Sequence, residues 1–231
     1  MHLVFGLLRF GAAVLMLPVC VAATKTVYLL ARSAHPASPA APPDAWWFAG
    51  GFAFWLLLFF TLPRPVRSYV LAHELTHALW GWLMGARVSG LRVGADRGSV
   101  KISRINFLVL LAPYFFPLYT VLVIAAYYAL SAIFAVEHYQ QWWLAMVGLT
   151  WGFHFTFTVT TLLQKQSDVQ ACGRLFSYAI IYALNVLGIG LWIVAVTPAG
   201  LEQMIDLLHS EAAGSYALLL NALHRLRQGL Q

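Results

Sequence analysis

Apolar residues occur along this chain in long runs rather than at alternating positions. The runs cover about residues 3–31, 46–62, 69–86, 106–134, 142–163 and 174–197. Most of them are long enough to cross a hydrocarbon core of about 30 Å, because a helix rises about 1.5 Å per residue. The pattern therefore predicts an all-α polytopic membrane protein with about six transmembrane segments.

Three segments depart from this pattern. In 87–104, Val, Leu and Ile are spaced by polar residues around the turn-forming stretch GADRGS, which predicts a short β-hairpin. The stretch SAHPASPAAPPDA is a Pro/Ala linker that cannot be helical throughout. From residue 199 onward, apolar residues recur every three or four positions among charged ones. This spacing predicts an amphipathic C-terminal helix that lies on the membrane or against the helix bundle.

These features divide the chain into three parts. Residues 1–45 hold an N-terminal membrane anchor and the Pro/Ala linker, 46–198 form a membrane-embedded core, and 199–231 form the amphipathic helix. We expect the first apolar run to be a retained anchor, because no clear small-x-small cleavage site precedes a soluble domain.

Composition and charge narrow the class of protein further. Of the 231 residues, 61% are hydrophobic and only 10% are charged, which is too apolar for an ordinary soluble domain. The net charge of +6 suits loops that face anionic lipid, so we expect a lipid bilayer and no nucleic acid among the partners. Lys and Arg concentrate in 87–104 and beside 164–173, which predicts that both segments are cytoplasmic. Arg64 and Arg67 fall on the opposite side and fit this rule less well.

The stretch YVLAHELTHALWGWLMGA places two histidines and a glutamate inside an apolar helix. Positions four apart share one helix face, so His73 and His77 can direct ring nitrogens at one ion, with Glu74 about 100° around from His73. Each ionisable residue near a bilayer centre costs roughly 2.5–3.5 kcal/mol on insertion scales. The cluster therefore predicts a zinc site, one ion per chain, with an adjacent base.

A catalytic zinc ion normally has a third protein ligand. Asp168 is the favoured candidate, because it lies at the mouth of a membrane segment on the same predicted side as the hairpin. Its alternative role is a helix N-cap. His154 is the rival ligand, and it could instead support a ligand or bind the substrate oxyanion. The weaker candidates are Cys172, Asp96, Glu137 and His138.

The segment AHELTHALWGWLMGARVSGLRV, together with the later SDVQACG, resembles the site-2 protease family of intramembrane zinc metalloproteases. The resemblance covers roughly residues 69–190. It implies that His73, His77 and Asp168 bind zinc, that Glu74 activates water, and that a hairpin at Val88 to Ile102 guides an unwound substrate segment to the metal. The family typically presents its aspartate in a Leu-Asp-Gly motif, whereas Ser167 and Val169 flank Asp168 here.

The leading functional prediction is hydrolysis of a peptide bond in or near a transmembrane helix of a membrane-spanning protein, by zinc-activated water with Glu74 as general base. An edge strand of the hairpin could hold the extended substrate, either at Val100 to Ile102 or at Leu91 to Val93. The alternatives are a non-catalytic binding or regulatory membrane protein of the same fold and an ion or proton pathway through His73, Glu74 and His154. Glu74 favours the enzyme, because a purely structural metal site needs no acid beside its first ligand.

Overall fold

The computed structural model describes residues 2–34 and 43–229, which form a mostly helical fold with one antiparallel hairpin. The α-helices of the described residues are α1 (His2–Ala34), α2 (Pro43–Thr61), α3 (Val66–Leu83), α4 (Phe107–Phe115), α5 (Leu118–Ser131), α6 (Gln140–Leu162), α7 (Ser167–Cys172), α8 (Arg174–Val196) and α9 (Leu201–Gly229). The strands are β1 (Val88–Val93) and β2 (Gly98–Ile102), and a 3-10 turn at Glu137–Tyr139 precedes α6. The helical class and the hairpin are confirmed. Most of the predicted Pro/Ala linker falls on 35–42, outside the described residues.

The prediction of about six membrane segments is wrong. Among the described residues, two helices are long and apolar enough to cross a membrane, Gly6–Ser33 within α1 and Arg174–Val196. The number of candidate spans rises to three if α4 and α5, which are bent by 74° at a short break, are counted together. The apolar helix Ala45–Thr61 is too short for this class. Arg67, Glu74 and two histidines lower the hydropathy of α3, and His154 with several threonines lowers that of α6, although both helices lie in runs that look apolar by residue counting.

Prolines shape the bent pair α4 and α5. Pro113 lies inside α4, and Pro117 directly precedes α5, after Phe116 in an extended conformation. A proline has no amide hydrogen to donate, so it interrupts the ladder of helical hydrogen bonds. The start of α4 is fixed by Asn106, whose side-chain oxygen accepts a hydrogen bond from the Val109 amide at 2.9 Å. The backbone of α4 near Val109 is therefore held in a defined position beside α3.

The described residues divide into two compact units, one formed by 2–34 and 169–229 and the other by 43–168. In the first unit, α9 runs antiparallel to α1 and is tied to it by side chains. The Tyr216 hydroxyl donates to the Leu15 carbonyl at 2.7 Å, and Lys25 Nζ lies 3.1 Å from Glu211 Oε2. The C-terminal helix therefore lies against the helices of its own unit.

In the second unit, α2 and α6 pack with their backbones in close contact. Gly148 of α6 faces the backbone of α2 so closely that a Cβ at this position would overlap the Phe48 carbonyl oxygen. Further along the same helix pair, Trp55 and Phe59 pack against Phe153 and Phe157 in a buried aromatic cluster. Small residues at such crossings let two helices approach, which is the usual way that apolar helices associate.

The hairpin packs on α3. Val88 pairs with Ile102 and Val93 pairs with Gly98, with an irregularity between Ser89 and Arg92. The Ile102 side chain covers Gly81 of α3, where an added Cβ would lie 3.0 Å from Ile102 Cγ2. Strand β2 therefore packs directly on α3, the helix that contains the HELTH motif.

We predict that Gly148→Ala destabilises the protein by about 1–3 kcal/mol, because the added methyl group overlaps a backbone oxygen that cannot rotate away. Gly188→Ala in α8 is the matched control, since a Cβ there meets nothing within 4 Å. Thermal unfolding in detergent should show a lower Tm for the Gly148 variant and an unchanged or slightly higher Tm for the control. Equal melting temperatures would contradict the close contact between α2 and α6.

Candidate metal centre

Three of the predicted ligands converge at one point. His73 and His77 project from adjacent turns of α3, with their Nε2 atoms 3.2 Å apart. Asp168, in the first turn of α7, places Oδ2 at 3.6 Å from each of these nitrogens. The ligand atoms of the three residues all lie within 4.8 Å of one another, so this group could hold a metal ion.

The spacing of the three atoms fits a tetrahedral divalent cation. Zinc binds imidazole nitrogen and carboxylate oxygen at about 2.0–2.2 Å, so two of its ligand atoms lie roughly 3.3–3.5 Å apart. The distances of 3.2, 3.6 and 3.6 Å between the nitrogens and Oδ2 agree with that value to within a few tenths of an ångström. Two imidazoles and one carboxylate also match the ligand types of catalytic zinc sites.

The orientation of His77 is set by a backbone carbonyl. Its Nδ1 lies 2.8 Å from the Val109 oxygen. A carbonyl only accepts hydrogen bonds, so Nδ1 carries the proton and Nε2 keeps its lone pair for a metal. The Val109 carbonyl is available because the residue four positions later is Pro113, which has no amide hydrogen to donate to it. A proline within an apolar segment is the sequence signal from which this acceptor could have been predicted.

His73 has a side-chain partner of its own. Its Nδ1 lies 3.3 Å from the hydroxyl of Tyr69, one turn earlier on α3. The Tyr69 ring is fixed by stacking on Phe157, with ring centroids 4.7 Å apart and planes within 8° of parallel. When Nδ1 donates to this hydroxyl, the Nε2 lone pair of His73 is directed at the same point as that of His77.

Asp168 is held by the buried residue Tyr114 of α4. The Tyr114 hydroxyl donates to Oδ2 at 3.1 Å, and the tyrosine ring packs edge-on against His73, with centroids 5.4 Å apart. Burial by itself would raise the pKa of Asp168, but the two neighbouring imidazoles of His73 and His77 outweigh the burial and hold the pKa well below its usual range. Asp168 is therefore a carboxylate, which is the form that binds a metal. Tyr114 lies far from HELTH in the chain, and no local motif marks it.

Glu74 is buried beneath the hairpin. Strand β2 crosses Glu74 at Gly98, where an added Cβ would lie 2.5 Å from Glu74 Cγ and 2.8 Å from Val70 Cγ1. Only glycine allows the strand to approach this closely without displacing one of these side chains. In the sequence, Gly98 is part of the turn signal GADRGS, so its packing role was not visible there.

The histidines, Glu74 and Asp168 line an open cavity of about 640 Å³. Its lining includes the predicted substrate-binding residues Val100 and Ile102 of β2. Polar residues from the end of α6 and the loop that follows it, such as Thr160 and Gln164, also line it. The candidate metal ligands therefore face a cavity with both apolar and polar residues in its lining.

The remaining candidates of the sequence analysis lie elsewhere. His154 is buried in α6 and lines a cavity of about 20 Å³ behind His73, together with Thr76. It is not part of the ligand group found among the described residues. Asp96 lines the large cavity at the hairpin turn, and Cys172 is buried at the end of α7. Glu137 and His138 occupy the exposed 3-10 turn before α6.

No protein-family model, curated protein or solved structure matches this chain. The resemblance to the site-2 protease family therefore rests on the motifs quoted above.

Tyr114→Phe should lower metal affinity by about 10–100-fold, because it removes the hydroxyl that orients Asp168 but keeps the buried ring. Competition against a chromogenic chelator measures this affinity for zinc. Tyr119→Phe is the control, since that hydroxyl donates to the Ser68 carbonyl at 2.8 Å and has no metal ligand as its partner. Unchanged zinc affinity in Tyr114→Phe would show that Asp168 does not need this hydrogen bond.

Gly98→Ala should loosen the hairpin from α3 while zinc stays bound, because the new methyl group meets Glu74 and Val70 rather than a ligand. Hydrogen exchange followed by mass spectrometry should show faster exchange of the amides in β2, with zinc content equal to that of the unaltered protein. Gly188→Ala serves again as the control. Slow exchange retained in β2 would mean that the strand does not depend on close contact at Gly98.

Proposed function

We propose that the protein is an intramembrane zinc metalloprotease that hydrolyses a peptide bond in or near a transmembrane helix. The observation that carries the proposal is the convergence of His73, His77 and Asp168 within an open cavity, with Glu74 next to the first ligand. A purely structural zinc site is normally closed by four protein ligands, whereas a catalytic site has three and an open position.

The residues divide the chemistry between them. His73, His77 and Asp168 would hold one zinc ion per chain, which when bound polarises a carbonyl and lowers the pKa of water to about 7. Glu74 accepts a proton from the attacking water and delivers it to the leaving amine. The burial of Glu74 beneath β2 keeps its carboxylate beside the cavity and limits its exposure to bulk water.

The position of α4, whose residues contact two of the candidate ligands, supports a site inside the membrane. Val109 and Tyr114, the partners of His77 and Asp168, both belong to α4, which is half of the bent candidate span. Hydrolysis beside that span requires a polar cavity, and the loop after α6 supplies polar residues that include Gln164 and Gln166. Arg97 of the hairpin turn lines the same cavity as these glutamines. This proximity supports a location of 87–104 and the start of 164–173 on the same side of the membrane. We propose that this side is cytoplasmic.

A membrane-spanning substrate must unwind before its carbonyls become accessible, because helical hydrogen bonds occupy them. We propose that the unwound segment adds to the hairpin along β2. Val100 and Ile102 of β2 line the cavity, whereas Leu91 to Val93 of β1 do not. This difference favours β2 over β1 as the strand that binds the substrate, a choice that the sequence left open.

Zinc content and peptide cleavage by detergent-purified protein test the proposal together. We expect about one zinc per chain by plasma mass spectrometry, with loss in Asp168→Ala and retention in Glu74→Gln and in the control His154→Ala. Mass spectrometry of synthetic single-span peptides in proteoliposomes should show cleavage by the unaltered chain and none by Glu74→Gln. Cleavage products would identify the scissile bond within or beside the apolar segment.

Two other results would overturn the proposal in different ways. Absence of zinc after mild loading would remove the metal site itself. Tightly bound zinc without cleavage of any peptide would instead support a non-catalytic binding protein of the same fold. Zinc retained in Asp168→Ala but lost in His154→Ala would reassign the third ligand.

A further inference from the structure

Arg64 occupies a distinctive place in the wall of the metal cavity. It lies in the connection between α2 and α3, within the sequence Pro63-Arg64-Pro65, and it lines the same cavity as the candidate ligands. Because Arg97 of the hairpin turn lines this cavity too, the expectation that Arg64 falls on the opposite side from the hairpin is wrong. Its guanidinium carbon lies 4.4 Å from the centre of the Phe59 ring. A cation at that distance over an aromatic face is held by a favourable electrostatic interaction.

Prolines restrict the backbone around Arg64, and its exposed side chain rests on the Phe59 ring. The rings of Pro63 and Pro65 fix the φ angles on either side of it. Phe59 is itself buried in the aromatic cluster with Trp55 and Phe157, so the surface on which the guanidinium rests does not move freely. A planar guanidinium that is fixed in advance loses less conformational entropy when it binds a ligand.

The charges around the cavity leave Arg64 available for a ligand. No acidic group of the described residues lies within 4.0 Å of its guanidinium, whereas Arg97 on the same cavity has Asp96 at 3.9 Å. Of the other carboxylates in the lining, Asp168 faces the two histidines and Glu74 lies beneath β2. The cavity therefore presents one restrained cation whose donors are not used by a neighbouring acid.

We infer that Arg64 is a specificity-determining residue that binds a carboxylate of the peptide substrate near the scissile bond. Guanidinium and carboxylate groups match as two parallel hydrogen bonds, which gives both affinity and orientation. The carboxylate is either an acidic side chain or the C-terminal carboxylate of the peptide. This inference rests on the proposed metalloprotease function and deepens it by naming the substrate class.

Three matched hydroxamate peptides can test the inference without a known substrate. All three carry the same metal-binding hydroxamate: one is neutral with an amidated C-terminus, one has a glutamate side chain and an amidated C-terminus, and one is neutral with a free C-terminal carboxylate. The peptides are added to the full-length chain, loaded with Co²⁺ in a zwitterionic detergent. Changes in the cobalt absorption bands give the dissociation constant of each peptide without any measurement of turnover.

We expect one of the two carboxylate peptides to bind at least about ten-fold more tightly than the neutral peptide, a gain typical of a charge-assisted hydrogen-bonded pair. Arg64→Gln should abolish that gain and leave the neutral peptide unchanged, and Arg64→Lys should keep only part of it. Arg67→Gln is the control, because Arg67 carries the same charge three residues later and does not line the cavity. The peptide that shows the gain identifies the source of the carboxylate.

The possible failures are distinguishable. If the neutral hydroxamate does not perturb the cobalt spectrum, the metal site and the proposed function fail together. If all three peptides bind equally to the unaltered protein, the metal site is supported but the proposed role of Arg64 is wrong. A carboxylate gain that persists in Arg64→Gln would also overturn the inference, because another cation would then supply the contact.

Discussion

The hydrogen bond between His77 and the Val109 carbonyl links the candidate metal centre to the rest of its unit. It fixes which nitrogen of the imidazole carries the proton, and it joins α3 to α4. The ring of Tyr114, also on α4, packs against His73. Tyr114 in turn holds Asp168, so one helix orients two of the three ligand residues. The bond exists because Pro113 leaves a helical carbonyl without its usual donor. A residue that weakens α4 as a helix therefore makes α4 useful as a support for a metal site.

The site also depends on how closely backbones approach one another. Gly148 allows α2 and α6 to pack tightly, and the aromatic cluster between these helices fixes Phe157, on which Tyr69 stacks. Gly98 allows β2 to cover Glu74. Each glycine removes a side chain where a second element must fit, and the ionisable residues gain fixed neighbours as a result. Burial of His77 and Glu74 in an apolar helix is costly unless such neighbours are present.

The cavity combines two environments that peptide hydrolysis in a membrane would need. Its lining contains apolar residues, including Val100 and Ile102, together with polar and charged residues, including Arg64. A cavity of about 640 Å³ is of the size of a typical ligand site, large enough for a few peptide residues. Val100 and Ile102 belong to the hairpin, whereas the candidate metal ligands belong to α3 and to the first turn of α7.

The sequence by itself determined the features that follow from local spacing. Two histidines four residues apart in a helix share a face whatever surrounds them, and alternating apolar and polar residues around a turn signal favour a hairpin. Asp168 was selected from the order of the segments, and the structure places it at the two histidines. The number of membrane spans was misjudged because residue counting does not reveal where prolines bend a helix or where polar side chains lower its hydropathy. Only the tertiary structure revealed the contacts of Tyr114, Gly98 and Arg64. Each of these acts through a residue on another element, and such contacts are created by packing rather than by any pattern along the chain.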